Sequence, residues 1–248
     1  MLNKKCFALL LGLSVITGCS HTGDTKTETR SAKEIYQSAQ THIHKERYIA
    51  AIDDLDALES NYPYGEYADK SQLALIYAYY ESHDPASALA TAEHFIQMYP
   101  RHKHVDYAYY MKGLSKFSEP LEGLSKYLPM NPAERDIQPV REAFFYFAEL
   151  VQRFPKSPYV NDSIRRMVYL KNSLADNEIG IAKTYYARKA YVAASKRAQT
   201  VLIDYPDTHS TEEALYILAR CYKKLGMPDL ETQTRDVLAH NFPNSKYL

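Results

Sequence analysis

Apolar and polar positions along this chain alternate with a helical period, and the pattern is broken five times by an aromatic residue followed by proline. The pairs are Tyr62-Pro63, Tyr99-Pro100, Phe154-Pro155, Tyr205-Pro206 and Phe242-Pro243. Each closes a block of 16 residues, and the blocks begin at Tyr48, Pro85, Val140, Tyr191 and Pro228. The fourth position of the blocks reads Ala51, Ala88, Ala143, Ala194 and Glu231, and the eleventh reads Leu58, Phe95, Leu150, Val201 and Leu238. Residues at that separation share one face of a helix. Each block therefore predicts an amphipathic helix; the first four pack closely on a neighbour through their alanine, and the fifth, with Glu231, Gln233 and Arg235, reads as a more polar, solvent-facing cap. Proline cannot continue the backbone hydrogen-bond ladder, so it ends each helix.

Five further stretches between the blocks read as helices. Ser31 and Glu34 have the spacing of a capping box and open a helix that runs through about His44. The others are Tyr67–Tyr80, Val105–Phe117, Tyr159–Leu174 and Ser210–Leu225. Gly226 stands where a left-handed C-terminal residue is needed, and Asp84-Pro85 reads as an N-cap followed by proline in the first turn. About ten helices in five antiparallel pairs result. The predicted fold is all-α, a right-handed superhelical solenoid of five tetratricopeptide-like helix pairs spanning 31–248. The repeats fall at about 31–63, 67–100, 105–155, 159–206 and 210–243. The proline-to-proline intervals are 37, 55, 51 and 37, and the shorter two lie close to the tetratricopeptide period. The longer two require an insert at 118–138, where Asn131 to Glu134 could cap a short helix, and a lengthening of the fourth repeat by Ala175–Ala190. Helix pairs of this kind bury their apolar stripes only by stacking, which leaves a concave inner face.

Composition agrees with a helical chain: 8 Gly, 23 Tyr and no Trp in 248 residues. With 30 basic and 30 acidic residues, no strongly basic face for nucleic acid is expected. The amino terminus has its own character. Lys4 and Lys5 precede an apolar run from Cys6 to Ile16, which is too short to span a ~30 Å hydrocarbon core. The run ends in Ile16-Thr17-Gly18-Cys19, which resembles a lipobox. That resemblance implies removal of residues 1–18 as a signal peptide, diacylglycerol on Cys19 and acylation of the new amino terminus. Residues 19–30 are polar and Thr-rich and read as a flexible, lipidated tether. Three acyl chains exceed what stable membrane anchoring requires. Cys221 then stands alone, so no intramolecular disulfide forms, and it reads as a buried small hydrophobe.

Motifs for catalysis are missing: no dinucleotide fingerprint, phosphate loop, nucleophile elbow or metalloprotease helix occurs. No catalytic residue and no metal ligand is assigned. His42 and His44 point apart on a helix, and His102 and His104 sit in a loop without a third ligand nearby. The acidic cluster of Glu119, Glu122, Glu134, Asp136 and Glu142 reads as a solvated surface paired with Arg135 and Arg141. Tyrosines recur on the first helices of the pairs: Tyr77, Tyr79 and Tyr80; Tyr107, Tyr109 and Tyr110; Tyr185 and Tyr186. Consecutive residues cannot all face one core. Some are expected in the packing and the rest along the inner groove, where they suit a segment of another protein.

Four runs carry a resemblance: Gln72–Tyr80, Asp106–Leu114, Arg135 through Phe144, and Ala187 through Thr208. With the lipobox and five repeats they are similar to the BamD family, lipoprotein subunits of the β-barrel assembly machinery of Gram-negative bacteria. The similarity spans residues 15–243 and departs in Glu119–Asn131. It implies a non-enzymatic scaffold of the Bam complex, lipid-anchored at the periplasmic face of the outer membrane. Ser20 after Cys19 fits that sorting. It further implies that the N-terminal repeats meet the targeting signal of unfolded outer-membrane proteins, with Tyr36, Tyr62 and Tyr64 as groove residues. The C-terminal repeats would bind the periplasmic POTRA region of the subunit BamA through Arg197. BamC and other Bam lipoproteins are implied partners, and no cofactor is implied beyond acyl chains on Cys19. The alternative is another envelope tetratricopeptide scaffold, Tol-associated or peptidoglycan-linked.

Overall fold

The second helix of each pair ends for a reason written in its sequence, an aromatic residue followed by proline. The computed structural model describes residues 30–122 and 136–248, and for 118–122 the backbone alone. The expected signal peptide at 1–18, the lipidation residue Cys19, the tether up to 29 and residues 123–135 of the insert lie outside the described residues. So does the cap expected at Asn131 to Glu134.

Ten helices are described: α1 (Ala32–His44), α2 (Tyr48–Asn61), α3 (Ala68–Glu81), α4 (Pro85–Met98), α5 (Val105–Glu122), α6 (Gln138–Arg153), α7 (Val160–Ala187), α8 (Tyr191–Asp204), α9 (Thr211–Leu225) and α10 (Pro228–Asn241). Every helix packs on the next one in the chain, and α3 also meets α5, as α7 meets α9. Ser31–Leu248 form one unit, a solenoid of five helix pairs.

The five aromatic residues before proline are all C-caps. Tyr62, Tyr99, Phe154, Tyr205 and Phe242 leave the helical conformation at φ between −128 and −136, and each still donates its N–H to the carbonyl four residues back. The following proline crowds the helical conformation of the residue before it, which explains the uniform exit. At the starts, the Ser31 hydroxyl accepts from the Glu34 N–H at 3.3 Å, while the Ser31 N–H donates to Glu34 Oε2 at 2.8 Å. The Asp84 carboxylate accepts from the Ser87 N–H at 3.0 Å. Helix α6 begins at Gln138, before the expected Val140, because Pro139 is accommodated in its first turn.

The turns inside the pairs share a geometry that residue types do not announce. Glu46, His83, Lys189 and Gly226 have φ of 56°, 62°, 61° and 71°. Each stands two residues before the second helix of its pair. The next residue closes a Schellman bond: Arg47 to the His42 carbonyl (2.9 Å), Asp84 to Tyr79 (2.9 Å), Ala190 to Tyr185 (2.9 Å) and Met227 to Tyr222 (3.0 Å). Only the last of these turns uses glycine at the left-handed position.

The small and large positions of the blocks do what their spacing requires. Ala51, Ala88, Ala143 and Ala194 are fully buried, as are Leu58, Phe95, Leu150 and Val201. Three apolar clusters follow. One joins α1 to α3 around Leu55 and Leu75. A second, around Phe95, Phe147 and Leu150, extends to Leu170 and Leu174. The third begins at Ala175 and Ile179 and ends at Cys221. The long helix α7 thus serves two cores. Its second half continues without a break through 175–187, and the last three residues of the expected lengthening, 188–190, form the turn into α8.

Candidate functional site

An open cleft of about 450 Å³ crosses the first helices of repeats one to three. Tyr36, Gln40 and Ile43 of α1 form one wall, and Asp69, Lys70, Leu73, Ala74 and Tyr77 of α3 form the floor. His102, Lys103 and His104, in the turn before α5, and Tyr107 of α5 complete it. The first helices supply this surface because the blocks behind them spend their small residues on close packing.

The cleft has an apolar part and a charged rim. Tyr36 packs against Tyr67 at 5.2 Å between ring centroids, and Tyr77 stands edge-on to Tyr48 at 6.1 Å. Burial raises the Tyr36 phenol and raises Tyr107 strongly, so both remain neutral hydrogen-bonding tips on apolar bodies. At the rim, Lys70 pairs with Glu66 at 3.1 Å and lies over the Tyr67 ring. His102 is fixed on both sides. Its Nδ1 accepts from the His104 N–H at 3.1 Å, so its proton sits on Nε2 and is donated to Asp69 Oδ2 at 3.0 Å. One ring nitrogen thus braces the α4–α5 turn from within, and the other ties that turn to α3. Among the described residues no three His, Cys, Asp or Glu gather to hold a metal ion.

Of the three tyrosines expected in the groove, one, Tyr36, lines this cleft. Tyr62 is the C-cap of α2, and Tyr64 projects into solvent at 86 % exposure; neither lines the cleft. A tyrosine beside a helix-ending proline is used to terminate the helix. The stripe tyrosines divide instead: Tyr77 and Tyr107 line the cleft, while Tyr109 is buried and Tyr79, Tyr80 and Tyr110 pack against the cores. Ile43, Leu73, Lys70 and Lys103 were not singled out from sequence. For the apolar two, the signal was their helical register with Tyr36 and Tyr77.

Arg197 lies on α8, far along the solenoid from this cleft, with its side chain 42 % exposed. Its Nη1 donates to both oxygens of Glu178 on α7, at 3.2 and 3.0 Å. A second open cleft, of about 480 Å³, lies between α7 and α9 and is lined by Ile179, Gly180, Lys183 and Glu213 among others.

A family model described as YfiO, outer membrane lipoprotein, matches residues 28–238. The chain belongs to this family. Its relatives include the outer membrane protein assembly factor BamD of Neisseria meningitidis serogroup A, 39 % identical over 252 residues and covering 100 % of this chain and 94 % of the relative. BamD of Vibrio cholerae serotype O1 is 38 % identical over 232 residues, 94 % of this chain and 96 % of the relative. BamD of Haemophilus influenzae is 34 % identical over 237 residues, 96 % and 90 % of the two. Among solved structures, a thermophilic TPR protein of Thermus thermophilus is similar over 87 % of this chain and 93 % of that one, at 13 % identity and a TM-score of 0.39. The match to the YfiO family takes in all of the cleft and Arg197. Among the described residues, no helix of this family member is long and apolar enough to cross a membrane.

Proposed function

We propose that this chain is a non-enzymatic lipoprotein scaffold of outer-membrane β-barrel assembly. Acyl chains on Cys19 anchor it at the periplasmic face of the outer membrane. It holds segments of unfolded outer-membrane proteins in the cleft of α1, α3 and α5, and it engages the periplasmic region of the barrel subunit through Arg197. Other lipoproteins of the complex dock along the same body. The mechanism is effective concentration: the tether fixes the solenoid near the membrane, and substrate held in the cleft stays near the barrel subunit.

The observation that carries this reading is the cleft itself. It is open, rimmed by Lys70 and Lys103, and lined by Tyr36, Ile43, Leu73, Tyr77 and Tyr107. Aromatic bodies with polar tips supply contact area at low entropy cost, which suits an extended polypeptide. The names of the relatives, all assembly factors, support the same reading.

The test is photo-crosslinking. A benzophenone amino acid is placed at Leu73, or at the exposed Ile203 of α8 as a control, in the acylated full chain. A urea-unfolded outer-membrane β-barrel protein is then added. Crosslinks are expected from Leu73 and not from Ile203. Equal yields from both positions, or none from Leu73, would refute the assignment of the cleft.

A further inference from the structure

We infer that Glu178 is a positioning residue that aims the Arg197 guanidinium at a carboxylate on the barrel subunit. This rests on the reading of Arg197 as the contact residue and adds the geometry and chemistry of that contact.

Glu178 is 6 % exposed and sits between the buried residues Asn177 and Ile179. Tyr205, the C-cap of α8, lies within electrostatic reach of both Glu178 and Arg141 of α6, so the acid stands where α6, α7 and α8 meet. An ionised carboxylate at such depth needs a cation, and Arg197 provides it. The pairing is one-sided. Both carboxylate oxygens are served by a single nitrogen, Nη1. That consumes the end of the guanidinium and leaves the side-on fork of Nε and Nη2 without a partner among the described residues. A planar two-donor fork matches a carboxylate, which accepts two parallel hydrogen bonds.

The arrangement separates aim from charge. Arg197 and Glu178 together are neutral, so the pair adds little long-range attraction for an acidic partner. What Glu178 contributes is immobilisation. An arginine already frozen by a buried acid loses less rotamer freedom on binding, worth roughly 2- to 10-fold in affinity. The two effects have opposite signs in one variant. Glu178→Gln adds a net positive charge, so charge alone would tighten binding to an acidic surface. Loss of positioning weakens it.

The experiment measures binding of the acylated full chain, in detergent, to the purified periplasmic POTRA region of the barrel subunit. Arg197→Ala is expected to weaken binding at least about 10-fold. Binding equal to wild type in this variant would remove the underlying reading of Arg197. With that loss established, Glu178→Gln is expected to weaken binding roughly 2- to 10-fold, through faster dissociation. The double variant is expected to bind no more weakly than Arg197→Ala. Unchanged or tighter binding by Glu178→Gln, or additive losses in the double variant, would overturn the positioning role alone. Should Glu178→Gln fail to fold, nitrogen NMR of the free wild-type chain decides. Separate Nη signals with slow rotation are expected for Arg197, and averaged signals like those of solvated arginines overturn the inference.

Discussion

Replacing Gly113 with alanine tests the packing of the central repeats with one methyl group. A Cβ on Gly113 would lie 2.5 Å from Phe147 Cε1, 2.6 Å from Cδ1 and 2.9 Å from Cζ. Carbon atoms prefer about 3.5–4.0 Å, so the ring must retreat by roughly 1 Å or α5 and α6 must separate. The ring has little room. Phe147 is fully buried, and the rings of Tyr110 and Phe117 stand 6.1 and 6.3 Å from it. Alanine gains about 1 kcal/mol over glycine within a helix. Overpacking a fixed core costs about 1–3 kcal/mol or more, and a contact this short belongs at or above the upper end. The net expectation is a loss of about 2 kcal/mol or more, which for a chain of this size lowers Tm by roughly 4–8 °C or more. Urea titration and thermal melts followed by circular dichroism measure it. Phe147→Leu in the same chain should recover part of the loss, giving a coupling of at least about 1 kcal/mol between the two sites. A Gly113→Ala chain as stable as wild type, or more stable, would refute the reasoning, since helix propensity would then have won.

Two more outcomes follow from the seams and turns. Asp162 accepts from Tyr110 Oη at 2.7 Å, Arg166 Nε at 2.6 Å and Arg165 Nη2 at 3.1 Å. Burial opposes its ionisation, but these hydrogen bonds, led by Arg166, outweigh burial and hold the carboxyl down at about 2. The folded value lies below the unfolded one of about 3.9. The stabilisation is therefore complete above about pH 4 and is lost as pH falls through about 2. With the side chain 30 % exposed, solvent screening brings it to about 1 kcal/mol; Asp162→Asn should flatten the acid limb of stability by that amount, and an unchanged limb would refute it. Lys189→Gly relieves a left-handed residue at φ 61° and should stabilise the chain by about 0.5–1 kcal/mol, whereas a loss of stability in urea titration would contradict the strain.

Local chemistry was legible in the sequence, and partnerships at a distance were not. Proline, its preceding aromatic residue and the spacing of Ala51 to Leu58 act within one helix, so they specify helix ends and buried faces without knowledge of the neighbours. The capping box at Ser31 is equally local. The left-handed positions Glu46, His83 and Lys189 hold no glycine or asparagine to mark them; the Schellman closure imposes the conformation. The unbroken run of α7 was expected only as a lengthening, since its apolar positions serve first one core and then the other. Tyr62 and Tyr64 fall outside the cleft for the opposite reason: the proline between them ends α2 and sets where their backbone leaves the helix. The pairing of Arg197 with Glu178 spans two helices and has no local signature.

Because Leu170 and Leu174 belong to one core while Ala175 and Ile179 belong to the next, no interface exists at which those cores can part. Separating them would require breaking the backbone hydrogen bonds of α7 itself. Across this boundary the chain is splinted by continuous helix. A load arriving from the middle repeats is passed along one rigid strut to the base of the last two. A proline placed near Ala175 would remove one of those backbone bonds and kink the helix between the two cores.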